Sequence, residues 1–453
     1  MPITRRNFVT GASGLAFLGL IKNFSNAAQA EIVDAYGPLQ KDPGGILDLP
    51  KGFSYKIISQ LGDQMDDGYP VPDRADGMGC IPLDGSKVAL IRNHEIGMRS
   101  RDRKLSTLQK PLADLAYDVT ENGEPLPGGT TTIIYDTTTN KRLEEYQSLI
   151  GTLTNCAGGV TPWGSWLSCE EDVTKVGKDV SLDHGWIFEV PADKKSMTKP
   201  TPLKDMGRFN HEAAAVDPET GIVYLTEDRP NSLFYRFLPN VYGELHKGGK
   251  LQALAFVDEN KGRDSRNWQE PQMTVGRWYN VRWIDLTETD SPKDDLRVRG
   301  HNDGAVVFAR GEGIHWGDGE LYFCCTSGGR ANLGQIMRYQ PSPNEGSSDE
   351  MQKTGRLQLF FEAEDAKEYN YGDNLVVAPN GHLLVCEDQY TKIVDNHIRG
   401  ITPDGKTYAF ARLVLQTETA GACFSPEGST LFVNVYRPTK TLAITGPWDQ
   451  FKS

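Results

Sequence analysis

One module recurs six times along this chain, and a repeat of that length restricts the fold more than any other feature of the sequence. Each copy has a turn, a hydrophobic strand that ends in a polar tip, and a second strand close to an aromatic residue. The first strands of the six copies read KVALIRNHE, GSWLSCEED, GIVYLTEDR, GELYFCCTSGG, GHLLVCEDQ and STLFVNVYR. Turns such as VDPETG, VAPNG and FSPEG precede several of them, with Pro and Gly placed as a β-turn requires.

A unit of about seventy residues has the size of one four-stranded propeller blade with its loops. We therefore predict an all-β fold, a β-propeller of six blades, in which neighbouring blades cover each other's faces. The 47 Gly and 26 Pro among 453 residues fit many short strands joined by tight turns. The longer interval at 241–299 predicts an excursion from the ring. A flat β-sandwich of several hairpins is the alternative.

The first thirty residues have the order of a twin-arginine export signal: TRRNFVT, the apolar run GASGLAFLGLI and the small-residue AQA. The apolar run is too short to anchor the chain in a membrane. We predict a signal peptide at 1–30, followed by a single β-propeller catalytic domain at 31–453. The signal predicts export by the twin-arginine translocation machinery to the periplasm or the extracellular space. We expect the mature protein to be a monomer.

The charge of the chain restricts its partners. The net charge is -13, and removal of the cations Arg5, Arg6 and Lys22 with the signal leaves -16. Such an acidic protein is not expected to carry a nucleic-acid-binding site. Clustered carboxylates in an exported protein can instead hold hard cations. The seven cysteines include no CxxC pair, and most lie in apolar runs, where we expect small core residues.

The polar tips of the modules predict a metal site. The innermost strands of a propeller line a central channel, so tips on successive blades would meet at its mouth. Carboxylates gathered there would repel one another unless cations neutralise them. The candidate carboxylate ligands are the acids of the tips and, just before the strands, three further acids: Glu95, Glu170, Glu171, Asp172, Glu227, Asp228, Glu387 and Asp388, with Glu212, Glu312 and Asp373. Cys156, in the Gly-rich loop TNCAGGVTPWG, is the predicted thiolate ligand, whereas His94 and His211 are expected to hydrogen-bond to ligands.

Two arginines lie among these acids. Arg229 directly follows Asp228, and Arg310 lies two residues before Glu312. A guanidinium beside clustered metal ions makes a planar, bidentate binder for a phosphoryl group. Displacement at phosphorus needs this combination, because charge on the attacking, leaving and equatorial oxygens must be stabilised together. The sequence has neither a G-x-S-x-G elbow nor a Walker loop, which disfavours serine acyl transfer and nucleotide-loop chemistry.

Five motifs, in their order along the chain, resemble the PhoX family of secreted alkaline phosphatases. They are NCAGGVTPWGSWLSCEE, GRFNHEAAAVDPETGIVYLTEDR, EGIHWGDGELYFCCTSGG, DNLVVAPNGHLLVCED and GACFSPEGSTLFVNV. The resemblance implies a β-propeller phosphatase with an iron and calcium cofactor bridged by an oxo group. It also implies activity on phosphate monoesters and, in some members, diesters, through attack of a metal-bound oxygen species on phosphorus.

The same resemblance implies roles for single residues. Cys156 of NCAGG resembles the iron-bridging thiolate, and Arg310 of ARGEG resembles the phosphate-binding arginine, with Asn93 and Arg229 as helpers. The carboxylates of CEE, HEA, TED, GEG, GDN and CED resemble ligands of iron or calcium, here Glu170 or Glu171, Glu212, Glu227, Glu312, Asp373 and Glu387. The fourth tip, TSGG, departs from the pattern because it lacks an acid, so Glu312 would have to serve that blade.

Two other classes of protein share some of these features. A calcium-dependent propeller hydrolase of lactonase type also places acids at a channel mouth, but it needs no thiolate and should hold no iron. A non-catalytic propeller that binds metal is the third interpretation. Metal content separates the first two, and phosphatase turnover separates both from the third.

Overall fold

The computed structural model describes residues 35–98, 110–259 and 261–451. The predicted signal peptide at 1–30 lies outside these ranges. Within them the helices are short: one α-helix, α1 (Leu296–Asn302), and 3-10 helices at Lys110–Leu115, Lys204–Met206, Leu245–Lys247 and Glu350–Gln352. None of these helices has the length and apolar character needed to cross a membrane.

Strands supply the rest of the regular structure and are numbered in chain order. Strands β1 to β7 are Leu39–Gln40, Leu47–Pro50, Ser54–Gln60, Ala75–Pro82, Lys87–His94, Gly128–Asp136 and Lys141–Thr152. Strands β8 to β15 are Asn155–Val160, Ser165–Glu170, Ile187–Pro191, His211–Val216, Val223–Glu227, Tyr235–Pro239, Gly249–Phe256 and Trp278–Asp285. Strands β16 to β26 are Gly311–Gly317, Glu320–Cys325, Gln335–Gln340, Arg356–Glu362, Gly372–Val377, Leu383–Glu387, His397–Ile401, Thr407–Leu413, Thr419–Phe424, Thr430–Val435 and Lys440–Thr445.

These strands form antiparallel sheets built from consecutive units. The sheet orders are β4-β5-β6-β7, β10-β9-β8, β11-β12-β13-β14-β15-β19-β18-β17-β16, β1-β2-β23-β22-β21-β20 and β24-β25-β26-β3. The longest sheet contains two units, β11–β14 and β16–β19, because β15 pairs with β14 on one side and with β19 on the other. Only part of the segment 241–299 therefore leaves the ring as predicted, since β14 and β15 belong to this sheet.

The first strands of the units form a closed ring. Strands β4, β8, β11, β16, β20 and β24 contact one another in that order, and β24 contacts β4. They surround a cavity of ≈ 430 Å³. Glycine permits their close approach: a Cβ on Gly159 of β8 would lie 2.1 Å from the carbonyl oxygen of Ala214 in β11. The fold is all-β and propeller-like, as the repeat predicts.

The hydrophobic cores lie between neighbouring units rather than on one face of each. Leu431 and Val433 of β25 pack against the β20–β23 unit. Phe432, between them in sequence, packs instead against the β4–β7 unit. Successive residues of a strand point to opposite faces, so a strand covered on both faces reads as a continuous apolar run. This is why the modules were visible in the sequence: they are the second and third strands of the units.

An early strand closes the ring. Strand β3 pairs with β26, with Gln60 opposite Lys440 and Ser54 opposite Thr445. A buried arginine strengthens the junction, because Arg92 of the first unit donates to the hydroxyls of Ser59 at 2.9 Å and Thr441 at 2.6 Å. The last unit is thus completed by residues from the start of the described chain.

Candidate metal centre

Each first strand begins with a β-bulge at the same end of the ring, which we call the mouth. The register with the second strand shifts between Ala75 and Met78, Asn155 and Gly158, His211 and Ala214, Gly311 and Ile314, Gly372 and Leu375, and Ala420 and Cys423. Bulges re-aim the side chains that they contain. All but the last carry a group able to bind metal at the same position: Asp76, Cys156, Glu212, Glu312 and Asp373.

The chain also enters several first strands through a strained residue. Arg74, Thr154, Arg310 and Tyr371 directly precede β4, β8, β16 and β20, and their φ angles are 56, 47, 55 and 54°. Left-handed backbone is unfavourable for residues other than glycine, especially for a β-branched one. Its repetition at equivalent positions shows that the packed units impose the same sharp entry at the mouth.

Acidic residues directly follow several second strands as well. Glu95, Glu171, Asp228 and Asp388 come after the last residues of β5, β9, β12 and β21. Because each second strand pairs with a first strand in antiparallel order, its end lies beside the bulge of that strand. Two sets of acids, from strand starts and from strand ends, therefore meet at the mouth.

Three groups of side chains at the mouth bring their ligand atoms within 4.8 Å of one another. The groups are Glu95 with Cys156 and Glu171, Glu212 with Glu312 and Asp373, and Asp373 with Asp388 and Glu418. We call these residues together the mouth cluster. The first group combines a thiol with carboxylates, whereas the other two offer oxygen alone and share Asp373.

Burial and mutual repulsion raise the pKa values of the cluster carboxyls. Burial is the larger cause for Glu171, Glu212 and Glu418, neighbouring carboxylates add to it, and each pKa lies well above its usual value. Burial and the charge of Asp388 raise the pKa of Asp373 to about 7. Without a compensating cation, these groups ionise less readily than ordinary carboxyl groups.

Two buried carboxylate oxygens at the mouth have no hydrogen-bond partner among the described residues: Oδ1 of Asp76 and Oε2 of Glu212. Burial raises the pKa of Asp76 well above its usual value, and the charges of Asp373 and Glu95 raise it further. A buried carboxylate oxygen without a donor is costly. A metal cation satisfies such an oxygen, so the donor set fits bound metal ions.

The thiol of Cys156 belongs to this cluster through its bulge. Its Sγ donates to Oε2 of Glu171 at 3.2 Å, and burial, followed by the charge of Glu212, raises its pKa. Asn93 fixes the same bulge, because its Nδ2 donates to the carbonyl oxygens of Cys156 at 3.2 Å and Ala157 at 2.7 Å. The amide of Asn93 is fully buried in these contacts, so the structure places this predicted substrate contact behind the thiol.

Arg310 lies beside the mouth cluster. Its Nε and Nη2 donate to the two carboxylate oxygens of Asp228 at 2.7 and 2.6 Å, and Nη2 lies 3.1 Å from Oε1 of Glu312. Although burial opposes the charge, the carboxylates of Glu312 and Asp228 raise the pKa of Arg310 above its usual value. The guanidinium is therefore a fixed positive charge held in one orientation.

The second predicted arginine has a different position. Nη2 of Arg229 donates to Oδ1 of Asn210 at 2.6 Å and lies 3.8 Å from Oδ2 of Asp294. The backbone carbonyl of Arg229 accepts the N–H of Arg310 at 3.0 Å. The Arg229 side chain thus lies beside Asn210 and Asp294, and the residue supports Arg310 through its backbone.

Three predicted ligands, Glu170, Glu227 and Glu387, lie outside the mouth cluster, and we call them the outer glutamates. Each is the last residue of a second strand, one position before an acid at the mouth. Successive residues of a strand point to opposite faces, which sends these three side chains away from the mouth. Glu170 accepts hydrogen bonds from three backbone N–H groups and from Nδ1 of His184 at 2.7 Å.

The other two outer glutamates are satisfied in the same way. Glu227 accepts from the hydroxyl of Tyr235 at 2.7 Å, and Arg297 lies 3.4 Å away. Glu387 accepts from Nε of Arg399 at 2.9 Å and from two backbone N–H groups. Their carboxylates hold the loops of their own units together, so the structure does not bring these predicted ligands to the cluster.

The two histidines near the mouth are structural. His94 hydrogen-bonds with the carbonyl oxygen of Asp73 and the hydroxyl of Thr131, both at 2.9 Å. His211 bonds through Nε2 with the carbonyl oxygen of Gly207 at 2.8 Å. Burial lowers the pKa of each ring to about 3, so both are neutral. The contacts that fix the rings are to backbone and hydroxyl groups rather than to cluster carboxylates.

Sequence analysis missed two acids at the mouth, Asp76 and Glu418. Asp76 in ADGMG stands upstream of its module as Glu212 in HEAAAV stands upstream of its own, so aligning the segments before each module would have found it. Glu418 in TETAG stands two residues before its bulge, outside the position that the other first strands use for their acid or thiol. The tips contained Asp228 and Asp388, but the sequence did not show which acid of each pair faces the mouth.

Comparisons with known proteins match this arrangement to one family. The family model described as Alkaline phosphatase PhoX matches residues 34–439. The structure of Pseudomonas fluorescens PhoX in complex with vanadate, a transition state analogue, has a TM-score of 0.65 at 18% identity and covers 93% of this chain and 98% of its own. A gluconolactonase from Xanthomonas campestris has a TM-score of 0.40 at 12% identity, covering 91% of this chain and 99% of its own. A putative 6-phosphogluconolactonase from Bacteroides uniformis has a TM-score of 0.38 at 9% identity, covering 86% and 92%. A search of curated protein sequences gives no match.

Proposed function

The chain belongs to the PhoX alkaline phosphatase family, and from this premise we propose that it hydrolyses phosphate monoesters, and diesters as a further class, at the mouth cluster. The family consists of metal-dependent phosphoric ester hydrolases. One observation carries the assignment of the site: buried carboxylates, two of them with unpartnered oxygens, gather at the same mouth as the fixed guanidinium of Arg310. A phosphoryl group is the substrate group that suits clustered cations beside a guanidinium.

We infer that iron and calcium are the ions held there. The group of Glu95, Cys156 and Glu171 offers a thiolate with carboxylates, which suits iron. The two all-oxygen groups that share Asp373 suit calcium, which takes several carboxylate oxygens in a flexible geometry. Asp76 lies close enough to perturb these acids and is a further candidate ligand. Bound there, the ions supply charge neutralisation and Lewis-acid polarisation of the phosphoryl group.

Arg310 binds and orients the phosphate in this proposal. Asp228 holds its Nε and Nη2 edge, so the direction of the remaining donors is fixed before substrate arrives. Preorganised donors stabilise a transition state without reorientation during the reaction. Because its pKa is raised, the guanidinium keeps its charge throughout the alkaline range.

Other residues act by holding these groups. Asn93 holds the bulge of Cys156, and the backbone of Arg229 holds that of Arg310. The sulfhydryl of Cys156 donates to Glu171, and this contact holds the sulfur beside the carboxylates that would share a cation with it. The outer glutamates fix the loops that lead out of the second strands, and through them the acids one residue later.

We infer six blades from the ring of first strands. Each of β4, β8, β11, β16, β20 and β24 opens one unit, and the ring returns from the last to the first. The shared sheet of β11–β19 contains two blades bridged by β15. The predicted single catalytic domain, export by the twin-arginine machinery to the periplasm or beyond, and the monomeric state complete the proposal.

The test is elemental analysis of the purified protein together with release of nitrophenol from p-nitrophenyl phosphate. Iron and calcium with turnover support the proposal. Calcium alone, with no turnover of the phosphate ester, would favour the lactonase-type interpretation. Metal without turnover of esters or lactones would favour a binding propeller.

A further inference from the structure

We propose that Tyr390 is a specificity-determining residue that selects phosphate esters with a planar, aromatic organic group. This inference rests on the proposed function, because it takes Arg310 as the group that binds the phosphate. It adds the class of organic group that the site accepts and the residue that recognises it.

Tyr390 stands directly beside the phosphate-binding arginine. Its hydroxyl oxygen lies 3.3 Å from both Nη1 and Nη2 of Arg310, and the guanidinium carbon lies 5.4 Å from the ring centroid. Asp388 of the mouth cluster is only two residues earlier. A phosphate held by Arg310 therefore places its ester substituent within reach of this ring.

The hydroxyl has a donor left for substrate. Both guanidinium contacts use the Tyr390 oxygen as acceptor, because arginine can only donate. The O–H hydrogen is then directed away from Arg310 and can be donated to an oxygen of the ester. Ring and hydroxyl thus present an apolar face and a polar edge to the same bound molecule.

A second tyrosine beside an arginine at the mouth shows what is unusual here. Arg74 precedes its first strand as Arg310 does, and its guanidinium carbon lies 5.8 Å from the ring of Tyr436. Tyr436 is 6% exposed, whereas Tyr390 is 64% exposed. Packing therefore covers the tyrosine beside Arg74, whereas the tyrosine beside Arg310 is open to solvent.

The open ring is nevertheless held in place. Tyr371 packs against it at right angles, with centroids 5.5 Å apart and an interplanar angle of 80°. The loop that carries it is tied at both ends: the N–H of Gln389 donates to Asn396 at 2.9 Å, and the N–H of Val394 donates to Gln416 at 2.9 Å. An exposed aromatic ring fixed in advance loses little entropy when it binds a planar partner.

The chemistry favours aromatic over aliphatic esters. Stacking of one ring on another strengthens binding by up to about tenfold beyond the area that it buries. An alkyl chain gains only the general burial of apolar surface from the same contact. The preference should appear mainly in KM, because the ring contacts the substituent rather than the reacting phosphorus.

The experiment compares benzyl phosphate with butyl phosphate, two primary alkyl esters whose leaving groups are similar. The ratio of their kcat/KM values is measured for the metal-loaded wild type, Tyr390→Ala and Tyr390→Phe. We expect wild type to prefer benzyl phosphate, Tyr390→Ala to lower the ratio about tenfold, and Tyr390→Phe to keep it. An unchanged ratio in Tyr390→Ala, or an equal loss in Tyr390→Phe, would overturn the inference.

The matched control is Tyr242→Ala. Tyr242 is also exposed and also packs edge-on against an aromatic ring, that of Trp163, but its hydroxyl bonds to Pro218 at the opposite end of the first strands. Its loss should leave the ratio unchanged, and a fall in the ratio would contradict a role specific to Tyr390.

Binding without turnover separates this inference from the proposed function. Calorimetry with phenylphosphonate and propylphosphonate reports the preference even if no ester is hydrolysed. Tighter binding of phenylphosphonate that Tyr390→Ala abolishes supports the inference, whereas equal binding of the two phosphonates refutes it. Absence of ester hydrolysis by the metal-loaded wild type would instead refute the proposed function.

Discussion

Each outer glutamate directly precedes an acid at the mouth, yet the two kinds of acid have different hydrogen-bond partners and different neighbouring charges. Glu170 and Glu171 are neighbours, and both are buried in part or fully by the same loops. Glu170 receives four hydrogen bonds from backbone and histidine donors. Glu171 receives the thiol of Cys156 and faces the like charges of Asp228 and Glu95, which outweigh the attraction of the Arg310 charge. Unmet acceptors, rather than buried acids as such, therefore mark the metal site.

A raised pKa does not separate the two sets. Burial raises the pKa of Glu227 to about 7, against the opposing effects of Arg297 and the Tyr235 hydroxyl. Burial raises the pKa of Asp373 to about 7 as well, but there the next cause is the added charge of Asp388. The charge of Glu227 is thus stabilised by Arg297 and Tyr235, whereas the charge of Asp373 is next to Asp388, which repels it.

The largest effect should come from removing the guanidinium beside the mouth cluster. Arg310→Ala should lower kcat/KM for p-nitrophenyl phosphate by about 100- to 1000-fold, because a preorganised donor to the phosphate is lost. Arg310→Lys should recover only part of it, since an ammonium group cannot make the paired contact with Asp228 that fixes the guanidinium. Arg338→Ala, whose partner Glu320 starts β17 at the end of the ring away from the mouth, is the control. Kinetics within twofold of wild type for Arg310→Ala would remove its assigned role.

The neighbours Glu170 and Glu171 sharpen the comparison directly. Glu171→Gln should reduce bound iron and lower turnover by at least about 100-fold, while the metal-free fold is not weakened. Glu170→Gln should keep its metal but lose about 3 kcal/mol of unfolding free energy, because His184 is left beside fewer charges. Elemental analysis and urea unfolding distinguish the two. The same phenotype for both variants would show that the two sets are not distinct.

Cys156→Ser should have a narrower effect. Serine keeps the size and the contact with Glu171 but removes the soft ligand, so bound iron should fall while calcium stays. The measurement is the iron and calcium content per protein. Undiminished iron in Cys156→Ser would take the thiol out of the ligand set.

Metal removal should reveal a pH dependence of the unfolding free energy that arises from the mouth cluster. In the metal-free protein Asp373 has a pKa of about 7, against about 4 when unfolded, so the native state holds the extra proton between these values. Its unfolding free energy should therefore fall as pH rises from about 4 to about 7. Thermal melts with and without chelator check this, and a chelated protein that becomes more stable across that window would contradict it.

The smallest effect should come from His184, which contacts the outer glutamate Glu170. Although burial opposes the charged form, Glu170 and Asp118 raise the pKa of His184 to about 10. The stability from this charge is present below about pH 6.5 and is lost as pH rises towards 10. His184→Gln should flatten that decline in urea unfolding at pH 7 to 10. An unchanged slope would show that the ring is not charged.

Most of the fold was visible in the sequence, because strands covered on both faces give long apolar runs. The predicted all-β, propeller-like architecture is confirmed, and the six modules are second and third strands of its units. The first strands escaped notice because they are rich in small residues, as in NCAGGV and HEAAAV. Close packing around the channel, rather than a hydrophobic pattern, determines those residues.

The site was predictable by residue type but not by register. TED and CED offer two acids each, and period-two alternation decides between them only when the orientation of the strand is known. The bulge that follows His211 changes that phase, and Glu212 was predicted as an acid just before a strand rather than from alternation. The family resemblance implied that Asn93 helps to bind phosphate, yet its amide donates to the backbone carbonyl of Cys156.

The pairing of β3 with β26 has a consequence for how the molecule is made. Residues 54–60 leave the ribosome long before 440–445, so one of the first strands synthesised must wait for one of the last. Until translation is nearly complete, every copy is an open arc with one unfinished edge. Asp76 belongs to the first unit and Asp373 to the fifth, yet the charge of Asp373 helps to raise the pKa of Asp76, so these two acids meet only after closure. The complete arrangement of acids at the mouth is thereby reserved for finished chains.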